Sequence, residues 1–282
     1  MVKRTVGLAV VAVSLAMVGA HLTAQQTTPR TAPATKASAV AKPPPQPPST
    51  TTPLPRVGIT IVQIKPDLLT EWQDFQRNET IPTLRKAGVT ERTALATVFG
   101  ESFEYVFLTP VTSLADRDGE NPLLRALGPD GLRSYGQRSR RFIAQQRTTI
   151  ATVRTDLSYT PTPIANLPVA IVNNYSIAAG HNADFESYIK NDLTPAHKQM
   201  KTGGFIVHQA LFGGDGNSFV VATLLPNFAE IEKGPAVTQA YGQARAAAVQ
   251  QKLAGIVTHV ERTVVLMVPE LSFQASATSD NR

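Results

Sequence analysis

An internal repeat constrains the fold of this chain more than any other sequence feature. The stretch from Ile64 to Gly100 recurs without a gap 113 residues later, as Ile177 to Gly213. The copies share residue types at constant spacing rather than identity, and each ends in Phe-Gly. Matched pairs are Trp72 with Phe185, Phe75 with Tyr188, Asn78 with Asn191, Glu79 with Asp192 and Pro82 with Pro195. Such self-similarity predicts two copies of one structural unit.

The predicted elements follow the same order in both copies. Apolar alternation predicts strands at 57–64, 93–99, 103–111 and 147–157, and again at 170–177, 205–212, 219–225 and 256–268. Helical patterns cover 67–86 and 121–145, and later 182–201 and 235–254. A second echo, Tyr135-Gly136-Gln137 with Tyr241-Gly242-Gln243, pairs the later helices. Each copy is therefore β-α-β-β-α-β, the split ferredoxin-like unit.

We predict an α+β protein of two fused ferredoxin-like repeats, residues 57–160 and 168–273, joined by a linker at 161–167. A sheet with helices on one face needs cover on the other, and the second copy supplies it, sheet against sheet. The expected product is a pseudo-dimeric α/β barrel. With its Asn-acid-x-x-Pro helices and Phe-Gly strand ends, the chain resembles the dimeric α/β-barrel superfamily, including NIPSNAP-like and antibiotic-biosynthesis-monooxygenase-like proteins. That resemblance implies a fold but no single activity, because members range from cofactor-free oxygenases and isomerases to haem enzymes.

The N-terminal segment predicts export. Lys3 and Arg4 precede an apolar run from Val6 to Ala20, which is typical of a signal peptide at 1–24. The alternative is an uncleaved membrane anchor. Residues 25–56 are rich in Pro, Thr and Ala and predict a disordered tether, and 274–282 a frayed tail. We expect a periplasmic or extracellular protein whose stability owes nothing to disulfides, since the chain has no Cys.

The positive net charge does not indicate a nucleic-acid partner. Of the 27 Lys and Arg residues, six lie at or before Arg56, and no acidic residue does. The predicted folded part is therefore balanced, with as many bases as acids. Nucleic-acid-binding domains carry their basic excess on the domain itself.

A carboxylate on the core face of the first helix in each repeat is the main candidate for chemistry. In a regular helix Glu79 lies within about 20° of Trp72, and Asp192 matches it beside Phe185. Burial in an apolar pocket raises a carboxyl pKa and suits a catalytic base or a ligand anchor. The alternative is a structural lock to a neighbouring side chain. By the same phase His197 lies about 120° from the apolar stripe and is expected to be exposed.

Further candidates surround these carboxylates. Pro82 and Pro195 leave a helical carbonyl unpaired at Asn78 and Asn191. Predicted ligand-binding residues are Asn78, Asn191, Trp72, Phe185, Tyr135, Tyr241 and His208, with Glu79 and Asp192 as catalytic candidates. His181, His197, His208 and His259 show no paired ligand spacing and Cys is absent, so we predict no metal site and no cofactor.

Three functions remain open from the sequence. The first is binding of a small, largely apolar molecule between helices and sheet. The second is a cofactor-independent monooxygenase or isomerase that uses Glu79 or Asp192 as base. The third is a structural or protein-binding module on a stalk. The sequence leaves the oligomeric state open.

Overall fold

The computed structural model describes residues 54–274, and its centre is a closed antiparallel barrel. Eight strands pair in the order β3-β1-β4-β6-β7-β5-β8-β2, and β2 closes the ring by pairing with β3. Their bounds are β1 Arg56–Ile64, β2 Glu91–Phe99, β3 Glu104–Val111, β4 Ile143–Val153, β5 Val169–Ile177, β6 Phe205–Phe212, β7 Ser218–Leu225 and β8 Val257–Met267. The predicted signal peptide, most of the tether and the tail beyond Gln274 lie outside the described residues.

The barrel consists of two ferredoxin-like sheets joined edge to edge. The first sheet has the order β4-β1-β3-β2 and the second β8-β5-β7-β6, the pattern of the predicted split unit. Pairing of β4 with β6 and of β2 with β8 closes the ring. The fold prediction is confirmed, with one refinement: the second sheet does not stack on the first but continues it, so the inner faces enclose a lumen.

Helices cover the outside of each sheet. The first repeat has α1 Leu69–Phe75, α2 Ile81–Lys86 and α3 Pro122–Arg140. The second has α4 Asn182–Tyr188, α5 Thr194–Met200, α6 Ala229–Glu232 and α7 Ala236–Leu253. A five-residue π segment joins α1 to α2 (Gln76–Thr80) and α4 to α5 (Ile189–Leu193). Each predicted first helix is therefore two short helices joined by a π segment, which ends two residues before Pro82 or Pro195.

The later halves of the two repeats align with a shift of 114 residues. This differs from the spacing between the two Tyr-Gly-Gln tripeptides. Strands β4 and β8 begin at Ile143 and Val257, and the helices before them kink at Gly128 and Gly242, both with positive φ. The expected pairing of Tyr135 with Tyr241 is therefore wrong, and Tyr135 matches Val249. The echo misled because local sequence similarity does not determine which residues occupy equivalent turns of two packed helices.

Strand β4 also begins earlier than predicted. It starts at Ile143 because α3 ends at Arg140 and the ladder with β1 pairs Ile64 with Ile143. Beyond Val153 the chain leaves the sheet through a turn in which Leu157 donates to the carbonyl of Arg154.

Candidate functional site

The layer between helices and sheet, where a ligand pocket was predicted, is filled by the aromatic residues expected to line that pocket. Trp72 is 2% exposed and its ring centroid lies 4.4 Å from that of Tyr105. Phe185 is fully buried and packs on Tyr175 and Phe219. Both rings sit at the centre of their repeat's hydrophobic core, where packing rather than ligand contact accounts for them.

Glu79 does not lie in the core, and the expectation of a buried carboxylate there is wrong. Its side chain is 41% exposed and accepts hydrogen bonds from the Arg138 guanidinium at 2.6 and 3.1 Å. The π segment changes the helical phase, since one inserted residue turns all later side chains by about 100°. It does not act alone, because Asp192 occupies the same position of the second π segment and is buried, whereas the Glu79 carboxylate is held outward by Arg138. The same turn moves His197 onto the buried face, where it is 3% exposed and bonds Thr202.

Asp192 is buried, as predicted, with 9% of the residue exposed. Lys252, which the 114-residue shift places opposite Arg138, lies 4.0 Å from its Oδ2. Both repeats therefore place a cation from the later helix beside the carboxylate. This is the arrangement expected if the carboxylate ties neighbouring side chains together instead of serving as a base. Asn78 and Asn191 are exposed beside these carboxylates. Asn191 donates to the hydroxyl of Ser187.

The two tyrosines make different contacts. Tyr135 stacks on Phe75 and its hydroxyl lies 3.2 Å from Thr80 Oγ1. Tyr241 donates to the main-chain carbonyl of Asp192 at 3.3 Å. Each ties the later helix of its repeat to the π segment of the earlier one.

The barrel lumen holds a cavity of about 130 Å³ to which all eight strands contribute. Its wall is mainly aliphatic, formed by Ile59, Ile61, Leu95, Val106, Leu108, Val172, Val220, Ala222 and Val265. Glu101, Arg147 and Glu261 are exposed and mark its mouth, and Glu104, Asn174, His208 and Thr263 complete the lining. Of the predicted site residues, only His208 lines this cavity.

The strand registers place the polar residues of the lumen in one row. His208 pairs with Val220, Val220 with Asn174, and Asn174 with Glu261. Directly paired residues present their side chains on the same face of a sheet. The equivalent row of the first repeat contains Leu95, Val106, Ile61 and Arg147. Only the second repeat therefore carries uncharged polar side chains at this level.

Two groups in this row lack partners. His208 is 8% exposed, and within residues 54–274 its ring has no hydrogen-bond partner, whereas buried His197 bonds Thr202. Burial lowers the pKa of His208 to about 4, so its imidazole is neutral at physiological pH. The Oδ1 of Asn174 is also buried without a partner. Unpaired polar groups in an apolar wall are costly unless a bound molecule or water satisfies them.

Sequence reasoning missed the lumen because it expected the inner faces of the two sheets to pack against each other and placed the ligand between helices and sheet. A signal was present in β1, where Ile59 and Ile61 face the lumen while Val62 and Ile64 face the helices. Apolar residues on both faces of an antiparallel strand indicate that both faces are covered.

Within residues 54–274 no group of three or more His, Asp or Glu side chains is arranged to hold a metal ion. No helix there is long and apolar enough to cross a membrane.

Comparison with known proteins shows the fold. No family model and no curated protein matches the sequence. Among solved structures, an anthrone oxidase-like protein aligns with a TM-score of 0.52 and 12% identity, covering 76% of this chain and 91% of its own. A candidate monooxygenase from Lactobacillus acidophilus aligns at 0.51 and 8% identity, covering 78% and 96%. Another from Fusobacterium nucleatum aligns at 0.51 and 11%, covering 77% and 94%. The chain has the dimeric α/β-barrel fold, as the resemblance implied.

Proposed function

We propose that this protein binds a small, compact, largely apolar molecule inside the barrel lumen. The observation that carries the proposal is the aliphatic cavity whose wall holds a buried, neutral and unpartnered His208. Mostly apolar cavities with a few convergent polar groups are the usual form of small-molecule sites. This differs from the sequence hypothesis in location, since Trp72 and Phe185 pack within the cores between helices and sheet. The cleft beside Asn78 and Glu79 is open to solvent and lined largely by charged side chains.

The size of the cavity limits the ligand. A cavity of about 150 Å³ in another protein admits benzene, so a lumen of similar volume suits roughly six non-hydrogen atoms. A molecule of that size buries its hydrocarbon against Ile61, Leu95 and Val106 and directs a polar group toward His208 and Asn174.

The first test fills the lumen. Leu108 occupies in the first repeat the position that Ala222 occupies in the second, so the barrel already accommodates leucine at this site. We expect Ala222→Leu to fold, and to lose binding of benzene measured by ligand-observed NMR and by the rise in Tm. Ala248→Leu adds the same side chain on the exposed face of α7 and is the matched control. Unchanged benzene binding by Ala222→Leu would place any apolar site outside the lumen.

An enzyme function is a second candidate, and one observation favours it. Asp192 is the buried member of the two predicted bases, and it lies in a π segment, a feature frequent at functional sites. Structural neighbours named as monooxygenases and as anthrone oxidase-like have the same fold. That similarity assigns no role to Asp192 or to any other residue of this chain. Oxygen consumption with small phenolic substrates, compared between the unmodified protein and Asp192→Asn, tests this candidate.

We also propose that the protein is exported, on the strength of the basic and apolar residues at its N-terminus. N-terminal sequencing of the protein isolated from its host tests this, with a mature start after Ala20 or Ala24 as the expected result.

A further inference from the structure

The lumen lining has an excess of hydrogen-bond acceptors over donors. Three carboxyl groups line it, from Glu101, Glu104 and Glu261, against the single guanidinium of Arg147. Among the described residues none of these four side chains forms a salt bridge, although ten such pairs occur elsewhere. Glu104 accepts a hydrogen bond from the Thr97 hydroxyl at 2.8 Å, and that neutral contact leaves its charge uncompensated.

The buried part of the wall adds two more acceptors. A neutral imidazole has one acceptor nitrogen, and the ring of His208 is more than nine-tenths buried and lines the cavity. The Oδ1 of Asn174, one strand away from Glu261, has no donor. Apart from Arg147, the lining donors are neutral: the Thr263 hydroxyl, the Asn174 amide and the second imidazole nitrogen.

We propose that the ligand of the lumen is a small organic cation, a primary amine in its ammonium form with a short hydrocarbon chain. An ammonium group has three donors and no acceptor, which complements this set. Its charge lies toward Glu261 and Asn174 on the wall of the second repeat. Its hydrocarbon lies against Ile61, Leu95 and Val106 of the first repeat. This inference rests on the proposed binding function and adds the chemical class.

The position of Arg147 does not favour an anion. Like Glu261 it is exposed at the mouth, but the next residues in its row are the apolar Ile61 and Val106, whereas the row of Glu261 contains Asn174 and His208. The acceptor row of the second repeat would leave a carboxylate next to Glu261 and the Asn174 carbonyl oxygen. Repulsion between the two carboxylates, and the meeting of two hydrogen-bond acceptors, would oppose the binding of such an anion.

The test compares three probes of equal length with the full chain: n-butylammonium chloride, n-butanol and sodium butyrate. Calorimetric titration at constant ionic strength gives the dissociation constants. We expect butylammonium to bind about tenfold or more tightly than butanol, because charge-assisted hydrogen bonds are roughly twice as strong as neutral ones. Glu261→Gln should reduce butylammonium affinity by about tenfold while leaving butanol binding unchanged.

Control variants and probes distinguish a preference for cations from binding in the lumen as such. Glu232→Gln removes an exposed carboxylate on α6, outside the lumen, and should change neither affinity. If Glu261→Gln fails to fold, Glu101→Gln, in the turn between β2 and β3 at the mouth of the cavity, takes its place. Equal binding of butanol and butylammonium, or tightest binding of butyrate, would overturn the cation assignment and leave the lumen function standing. Failure of all three probes, together with benzene, would overturn both.

Discussion

Two buried histidines should make this protein acid-sensitive, and the internal repeat supplies the matched substitutions. His208 and His197 are each almost fully buried, and desolvation lowers the pKa of each from 6.5 to about 4. The equivalent residues of the first repeat are Leu95 and Leu84. His208→Leu and His197→Leu therefore introduce side chains that the fold already accepts at these positions.

The direction of the effect follows from proton binding. In the unfolded chain these imidazoles take up a proton below about pH 6.5, whereas in the folded protein they remain neutral until about pH 4. Acid therefore favours the unfolded state. Stability is fully present above pH 6.5 and falls as the pH drops toward 4. At pH 5 each histidine lowers the free energy of unfolding by about 2 kcal/mol relative to pH 7.

Urea unfolding at pH 7 and pH 5 measures this term, with the fluorescence of the single tryptophan, Trp72, as the probe. In each leucine variant we expect the drop in unfolding free energy between pH 7 and pH 5 to be smaller by about 2 kcal/mol than in the unmodified protein. In the double variant it should be smaller by about 4 kcal/mol. His259→Gln, on the exposed part of β8, is the control and should behave as the unmodified protein. A leucine variant with the same difference between pH 7 and pH 5 as the unmodified protein would refute the assignment of a neutral, buried imidazole.

Two further predictions concern charged residues of the first repeat. Arg92 is 5% exposed, stacks on Phe107, donates to Gln76, and has an Nη1 without a partner, so Arg92→Met should raise the free energy of unfolding by about 1–3 kcal/mol. A loss of stability in urea unfolding would refute this and show that the hydrogen bond to Gln76 and the stacking on Phe107 outweigh the cost of burying the cation. The pair of Glu79 and Arg138 is half exposed, so a double-mutant cycle with Glu79→Gln and Arg138→Gln should give a coupling below about 1 kcal/mol that weakens with salt. A coupling of about 2 kcal/mol or more that persists in high salt would instead indicate a desolvated pair.

The sequence by itself determined the architecture. Repeated spacing from Trp72 to Pro82 and from Phe185 to Pro195, with matching strand and helix patterns, was enough to predict two ferredoxin-like units and their fusion. Periodicity carries this information because each element buries one face, and the spacing of apolar residues records which face. It also matched Trp72 with Phe185 on equivalent helices, but it assigned both rings to a ligand site, whereas they pack in the hydrophobic cores.

Only the tertiary structure decided where the polar groups lie. His197 is buried rather than exposed because a π segment adds a residue to the turn, whereas helical periodicity assumes a regular turn. Glu79 is half exposed while its counterpart Asp192 is buried, so its position also depends on the long-range contact with Arg138. Tyr135 and Tyr241 share a tripeptide but not a position, since helix packing, not local sequence, determines their alignment. The lumen that brings His208 and Asn174 into one wall exists only once β4 pairs with β6 and β2 with β8. Those pairings join residues far apart in the chain, and their register is a property of the closed sheet.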